Sequence, residues 1–389
     1  MLFLISKVLM LKAFRGVGAP VVPPINVTLS VTNRCNSRCK TCNIWNATGG
    51  EEGGTKDLAS VSGGELKADE IDLILKNLGD AYWFTISGGE PFLREDLPEI
   101  CISIFEHCNA GIVNIPTNAL LQMRIERKVE EILEFLERGD GTRGRRKRAE
   151  RKLIINISLD GVGELHDEIR GVRGNFKKLL RTYEALVPLR EEHKSLLVGM
   201  HTVISKLNVH AIPRIYEFVR NLEPRPDSHI FEVAEERVEL FNVGSGITPS
   251  YEELADALDF VSSKLKADYF KGGTQRLIQA FRLEYYDLIK RTLLERHQVI
   301  PCYAAFASCQ ITPFGEVWAC CILAKSLGNL RAENYDFRKV WASDRAAKIR
   351  EAIKRGECYC PLANAMYTSM LCNFRCAAAV ALRFLGARN

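Results

Sequence analysis

Apolar and polar positions alternate in two rhythms along the chain, one of period two and one near 3.6, and they change places repeatedly up to about residue 235. Short β-branched and aromatic runs at 26–32, 82–87, 111–116, 153–159, 196–204 and 229–234 read as strands. Helical patterns separate them. Within 65–78, Leu66, Ile71, Ile74, Leu75 and Leu78 fall close to one face, and Ser62 with Glu65 forms a candidate capping box. Strand and helix in alternation predict an α/β protein with a parallel sheet, and six such units make a partial barrel over residues 25–240. Residues 250–297 read as two long helices in a linking segment, 241–300, that leads to a cysteine-rich unit at 301–389. The glycine-rich stretch 47–64 predicts a mobile loop able to cover whatever lies before it.

With 389 residues, 47% hydrophobic and 26% charged, the chain has room for a barrel and a smaller domain, and its composition excludes disorder. The first 14 residues hold only Ser6, Lys7 and Lys12 as polar positions, within an N-terminal unit at 1–24. They are too short to span a bilayer, and both an interfacial helix and a helix packed outside the barrel fit them. The stretch 376–389 is apolar as well. The net charge of +5 is concentrated, since residues 142–152 carry +6 and the remainder sums to −1. Such a run is a solvated loop or a patch that attracts phosphate on an anionic membrane. It lacks interleaved aromatics, so nucleic acid is not an expected partner.

Thirteen cysteines are an odd number, and they cluster. Cys35, Cys39 and Cys42 stand together and eight more lie from Cys302 to Cys376, whereas Cys101 and Cys108 sit in an amphipathic stretch as core residues. Clusters at both ends favour metal ligation over disulfides and place the chain in a reducing compartment, the cytoplasm or the inner face of its membrane. Three thiolates are too few for a closed zinc site and wrong for paired disulfides. On a four-iron cluster they leave one iron free for another ligand. Spacing alone leaves open a zinc knuckle whose fourth ligand is distant.

The C-x3-C-x2-C spacing, followed one βα unit later by Ser-Gly-Gly-Glu-Pro at 87–91, resembles the radical S-adenosylmethionine superfamily. The resemblance implies a partial (β/α)6 TIM-like barrel in which Cys35, Cys39 and Cys42 hold a [4Fe-4S] cluster whose open iron chelates S-adenosylmethionine. Reductive cleavage then yields a 5'-deoxyadenosyl radical that takes hydrogen from an unactivated C–H bond. It further implies cofactor contacts at Gly88, Gly89, Glu90 and Pro91, at Thr117 and Asn118 after the third strand, at Ser158 and Asp160 after the fourth, and at Arg170 and Asn208. An electron donor such as a ferredoxin or flavodoxin is implied too. Glu232 and His201 are candidates for the proton acceptor in the barrel mouth.

Cys302, Cys309 and Cys320, with a Pro-Phe-Gly turn between two short strands, resemble a SPASM or twitch extension, a cysteine-rich hairpin that carries auxiliary [4Fe-4S] clusters. The tail C-x-C-x11-C-x3-C adds Cys358, Cys360, Cys372 and Cys376 but departs from the fuller pattern, which leaves one auxiliary cluster, or two if Cys321 replaces a missing ligand. A zinc site or plain core thiols remain the alternative in this tail. Clusters at two ends point to net oxidation or cross-linking. The apolar ends and the basic run favour a membrane lipid alkyl chain of archaeal type as substrate. Few residues precede the first strand for a leader-binding domain, but peptide or protein maturation is the alternative. An iron–sulfur electron carrier, the non-enzymatic reading, needs no Gly-Gly-Glu-Pro turn.

Overall fold

A computed structural model describes residues 2–46, 64–138, 151–268 and 273–386. The loop expected at 47–64 falls outside the described residues except for Gly64, as does the basic run from 143 to 150. An N-terminal helix α1 (Leu2–Val17) precedes β1 (Asn26–Thr32). Then follow α2 (Ala68–Leu78), β2 (Trp83–Gly88), α3 (Leu97–His107), β3 (Ile112–Thr117), α4 (Gln122–Glu137), β4 (Lys152–Ser158), α5 (Glu164–Arg170), α6 (Asn175–Glu192), β5 (Leu196–Ile204), α7 (Ile212–Arg220) and β6 (Ser228–Val233). The C-terminal third holds α8 (Tyr251–Ala267), α9 (Gly273–Glu295), the strands β7 (Ser308–Ile311), β8 (Glu316–Trp318) and β9 (Ser326–Asn329), and helices α10 (Phe337–Trp341), α11 (Asp344–Lys354), α12 (Ala363–Leu371) and α13 (Phe374–Phe384).

The strands form one sheet in the order β6-β5-β4-β3-β2-β1-β7-β8-β9, parallel from β6 to β7 and antiparallel beyond. The sheet is open. Each strand alternates, so that Val27, Leu29, Phe84, Ile86, Val113, Ile115, Leu153, Ile155 and Ile157 are buried in the core on one face. The opposite face is polar, and its side chains bind one another: Asn156 Nδ2 donates to Asn114 Oδ1 (2.7 Å) and Gln310 Nε2 to Ser30 Oγ (2.9 Å). A barrel lumen lined this way is a site, because an apolar lumen would simply fill with side chains.

The cysteine-rich unit is continuous with the barrel. Its first strand, β7, pairs with β1 and so occupies the edge that β1 would otherwise expose. Helix α12 reaches the inner face of β1 through Asn364 Nδ2 and Thr28 Oγ1 (3.0 Å), and Tyr367 on it packs on Tyr285 of α9 (4.7 Å between rings).

Helix α1 is docked on the fold. Leu11 and Phe14 are buried, the Arg350 guanidinium lies between Phe14 and Trp341 (4.7 and 4.6 Å), and Lys7 is buried with Nζ donating to the Asp80 carbonyl (3.0 Å). Part of the apolar face that suggested a membrane helix is thereby used in packing. Among the described residues no single helix is long and apolar enough to cross a membrane. The capping box also differs from expectation. Ser62 lies outside the described residues, and Glu65 accepts from Thr32 Oγ1 (3.0 Å) and the Asn33 amide (2.7 Å) at the end of β1. Glu70 takes the capping role, accepting from the Lys67 amide at 2.9 Å.

Candidate active site and cluster ligands

The chain leaves β1 at Thr32 and turns through Cys35, Cys39 and Cys42 in a loop clamped on three sides. The Gly89 and Glu90 amides donate to the Thr32 and Arg34 carbonyls (2.7 and 2.9 Å), Arg38 and Lys40 amides donate to the Arg170 and Ile169 carbonyls (3.0 and 2.8 Å), and the Asn43 amide to the Leu240 carbonyl (2.8 Å). Backbone contact this close needs glycine: a Cβ on Gly89 would lie 2.1 Å from the Arg34 carbonyl oxygen, and one on Gly171 2.1 Å from that of Arg38. The glycines at the second strand end, Gly88 among them, thus hold the cysteine loop. Pro91 opens a short 3-10 turn behind them.

Burial pushes the Cys35 thiol up to about 11 and Cys42 up to about 12, so both need a cation to ligate as thiolates. Arg170 supplies positive charge beside them. Burial lowers its pKa, yet Cys39, Asp160, Cys35 and Cys42 together hold it above the ordinary arginine range.

Several expected cofactor contacts are already engaged within the protein. Buried Glu90 accepts from Thr117 Oγ1 (2.9 Å), the Asn118 amide (2.8 Å) and the Phe92 amide (3.3 Å), tying β2 to β3, and burial pushes its pKa up to about 7. Asn118 extends the tie, with Nδ2 donating to Asn36 Oδ1 (2.7 Å) beside Cys35. Asp160 accepts from the Val203 amide (3.0 Å) and pairs with Arg170 (3.0 Å). Asn208 is fully buried, accepting from the Ser205 amide (2.7 Å) and donating to the Asp160 and Val203 carbonyls (both 2.9 Å). Saturated in this way, Glu90, Asp160 and Asn208 position their strand ends, and Ser158, half-buried on the inner face, is the freer hydroxyl. His201 and Glu232 pair across β5 and β6 at 3.5 Å. Burial, the largest single influence, opposes both charges, but the partner's charge and hydrogen bond together with nearby Asp160 or Arg237 outweigh it, raising the His201 pKa and lowering that of Glu232.

His166 supports this ring of groups from behind. It is fully buried, stands 3.2 Å from the Asp160 amide, which donates to its Nδ1, and burial depresses its pKa to about 4. The folded value lies below the unfolded one near 6.5, so its stabilisation is complete above about pH 6.5 and is lost as pH falls through about 4, on the order of 3 kcal/mol in all. Denaturant midpoints measured from pH 7 to 4.5 should therefore fall more steeply for the native chain than for His166→Gln, and parallel slopes would contradict the assignment.

In the C-terminal unit, Cys302, Cys320, Cys358 and Cys360 come together. Burial raises the Cys302 thiol to about 12, with Cys320 and Cys358 adding to the shift, and Cys360 responds to burial, then Glu235, Cys320 and Cys302. A cavity of about 40 Å³ opens beside Cys302, Cys358 and Cys360. Gln298 braces it, accepting from the Cys302 amide (3.1 Å) and donating to the Cys358 carbonyl (3.0 Å). Cys309, on the apolar face of β7, faces Arg350 instead; Cys372 lies near Lys12 and Arg15, and Cys376 near Glu284 and Arg291. Cys321 turns toward Arg237 and Glu239. Among the described residues no three His, Cys, Asp or Glu side chains are close enough to hold a single metal ion. A four-iron cluster takes its thiolates on separate irons, so its ligands need not meet at one point. Anaerobic reconstitution should accordingly give about eight irons per chain, falling to about four in Cys320→Ser or Cys360→Ser and unchanged in Cys309→Ser or Cys376→Ser. Iron lost equally from all four variants would refute this ligand set.

A second group escaped the sequence reading because it lies in a short charged run after the last inner strand. Arg237 pairs with Glu235 (3.3 Å), which stands near Cys320 and Cys360, and Glu239 accepts from Ser30 Oγ (3.1 Å) and from Gln310 Nε2. Glu239 borders a cavity of about 300 Å³ between β1 and the β7–β8 hairpin.

Residues 29–219 match the model of the radical SAM superfamily, and residues 302–361 match the SPASM model, an iron–sulfur cluster-binding domain. The antilisterial bacteriocin subtilosin biosynthesis protein AlbA of Bacillus subtilis is 26% identical over 345 residues, 86% of this chain and 65% of that protein, so the chain spans about two thirds of its length. The AdoMet-dependent heme synthase of Methanosarcina barkeri is 23% identical over 350 residues, 86% of this chain and 87% of that one. The fold is similar to that of anSMEcpe with bound AdoMet and Cp18Cys peptide, at a TM-score of 0.53 and 17% identity over 85% of this chain and 83% of that one.

Proposed function

Because the chain belongs to the radical SAM superfamily and carries a SPASM domain, we propose that this enzyme oxidises or cross-links a peptide. When bound, S-adenosylmethionine and the cluster on Cys35, Cys39 and Cys42 supply a 5'-deoxyadenosyl radical, and the SPASM domain binds auxiliary iron–sulfur clusters. The protein's own work is to hold one substrate hydrogen near the reacting carbon and to keep water out. Arg170 offsets negative charge at the thiolates, Ser158 meets the cofactor from β4, and the His201–Glu232 pair is the candidate acceptor for a proton that net oxidation of the substrate would release.

One observation carries the peptide reading, the cavity of about 300 Å³ between β1 and the β7–β8 hairpin. Its volume lies at the lower end for ligand pockets and suits one side chain better than a macrocycle. Similarity to AlbA along most of the chain supports it. The lipid reading has weaker support, since Leu11 and Phe14 of α1 and Cys376, Ala379 and Val380 of α13 are buried in packing.

Anaerobic incubation with S-adenosylmethionine, a reductant and peptides encoded beside the gene should yield 5'-deoxyadenosine and a peptide lighter by the hydrogens removed, located by tandem mass spectrometry. Turnover of a heme precursor, as the similarity to a heme synthase would suggest, or of membrane lipid, with every peptide mass unchanged, would overturn the reading.

A further inference from the structure

Resting on the peptide reading, we infer that the cavity between β1 and the β7–β8 hairpin selects a cationic side chain, a lysine or arginine of the substrate, and that Glu239 and Phe241 set this selectivity. Two carboxylates, Glu239 and Glu316, and three aromatic rings, Phe241, Phe314 and Trp318, line the cavity, and no basic side chain is among the described residues that do. Both carboxylates are held by neutral donors. Glu316 accepts from Asn329 Nδ2 (2.9 Å) and from Ser326 Oγ, and Glu239 from Ser30 Oγ (3.1 Å) and Gln310 Nε2. Neutral donors orient a carboxylate without cancelling its charge. The neighbouring guanidinium, Arg237, forms its ion pair with Glu235 (3.3 Å). The Arg237 charge reaches Glu239 as well, yet among the described residues neither wall carboxylate has an ion-pair partner, and two carboxylates beside several ring faces are the combination that attracts an ammonium or guanidinium.

Backbone geometry singles out the same segment. Phe241 has φ +50, a left-handed conformation that a bulky side chain rarely adopts. The turn is pinned by Asn43, whose Nδ2 donates to the Phe241 carbonyl (2.9 Å) and whose amide donates to the Leu240 carbonyl (2.8 Å). Asn43 follows Cys42 directly, so the strained turn ties the Glu239 carboxylate and the Phe241 ring to the loop of the cysteine triad.

The test is an anaerobic calorimetric titration of the reconstituted enzyme, with S-adenosylmethionine present so that the cofactor's own charges do not compete. The probes are N-acetyl-lysine methylamide and its neutral counterpart, N-acetyl-norleucine methylamide. The lysine probe should bind at least about tenfold more tightly, a preference that disappears in Glu239→Gln. Phe241→Leu, which keeps an apolar side chain but removes the ring face, should weaken the lysine probe about threefold and leave the norleucine probe unchanged. Equal binding of the two probes, no saturable heat from either, or a preference that survives Glu239→Gln would overturn the inference. Peptide oxidation without charge preference defeats this inference alone, whereas lysine selectivity without any peptide product defeats the peptide reading and leaves the selectivity in place.

Discussion

Replacing Cys35, Cys39 and Cys42 together with alanine should abolish formation of 5'-deoxyadenosine while leaving the absorption and about four irons of the auxiliary site. The reasoning is that the loop's architecture is independent of its thiols. It is anchored by backbone hydrogen bonds to Gly89, Glu90, Ile169, Arg170 and Leu240, so removing three sulfurs deletes ligands without releasing the loop. The four C-terminal cysteines lie on other elements, with Gln298 bracing two of them. Chromatography of the reaction for 5'-deoxyadenosine, with iron analysis of the same sample, checks both halves. Cleavage at native rate in the triple variant would remove the basis of the active-site assignment.

The second large effect belongs to Asp160. Its carboxylate is 2% exposed and joins the Val203 amide at the end of β5 to Arg170, itself only 12% exposed. Asp160→Ala should destabilise the protein by about 3 kcal/mol, because it strands a buried guanidinium and a backbone donor at once. Affinity for S-adenosylmethionine should fall as well, since Arg170 also presents its carbonyl to the Arg38 amide and the Ser37 hydroxyl of the cysteine loop. Asp160→Asn keeps an acceptor for Val203 and should lose less. Guanidinium denaturation of the three proteins decides it, and an alanine variant within about 0.5 kcal/mol of native would show that this pair is not structural.

By ligand chemistry alone Glu90 and Asp160 belong to the cofactor, because a carboxylate after a strand in a βα barrel faces the mouth. In the folded chain both are buried and meet donors contributed by other elements, Thr117 and Asn118 at the end of β3 for one and Val203 of β5 and Arg170 at the end of α5 for the other. Those donors are 27 to 43 residues away for the side-chain and amide bonds of Glu90 and of Asp160 with Val203, and no local pattern encodes such distances.

What the chain's order of residues determined by itself was local: the six barrel strands within a residue of their observed ends, the helix over α2, the Pro-Phe-Gly hairpin and the cysteine triad. Each is set by periodicity, turn chemistry or spacing inside a short window. Tertiary structure alone decided which cysteines of the C-terminal eight converge, because Cys302, Cys320 and the Cys358–Cys360 pair are carried by three separate segments, while Cys309 lies on the apolar face of its strand near Arg350. It also decided that β7 continues the barrel sheet, and that Glu239 and Phe241 meet Gln310 and Trp318 around one cavity. Pairings across such separations depend on where whole elements pack, and packing is a property of the assembled core, beyond the reach of any window of sequence.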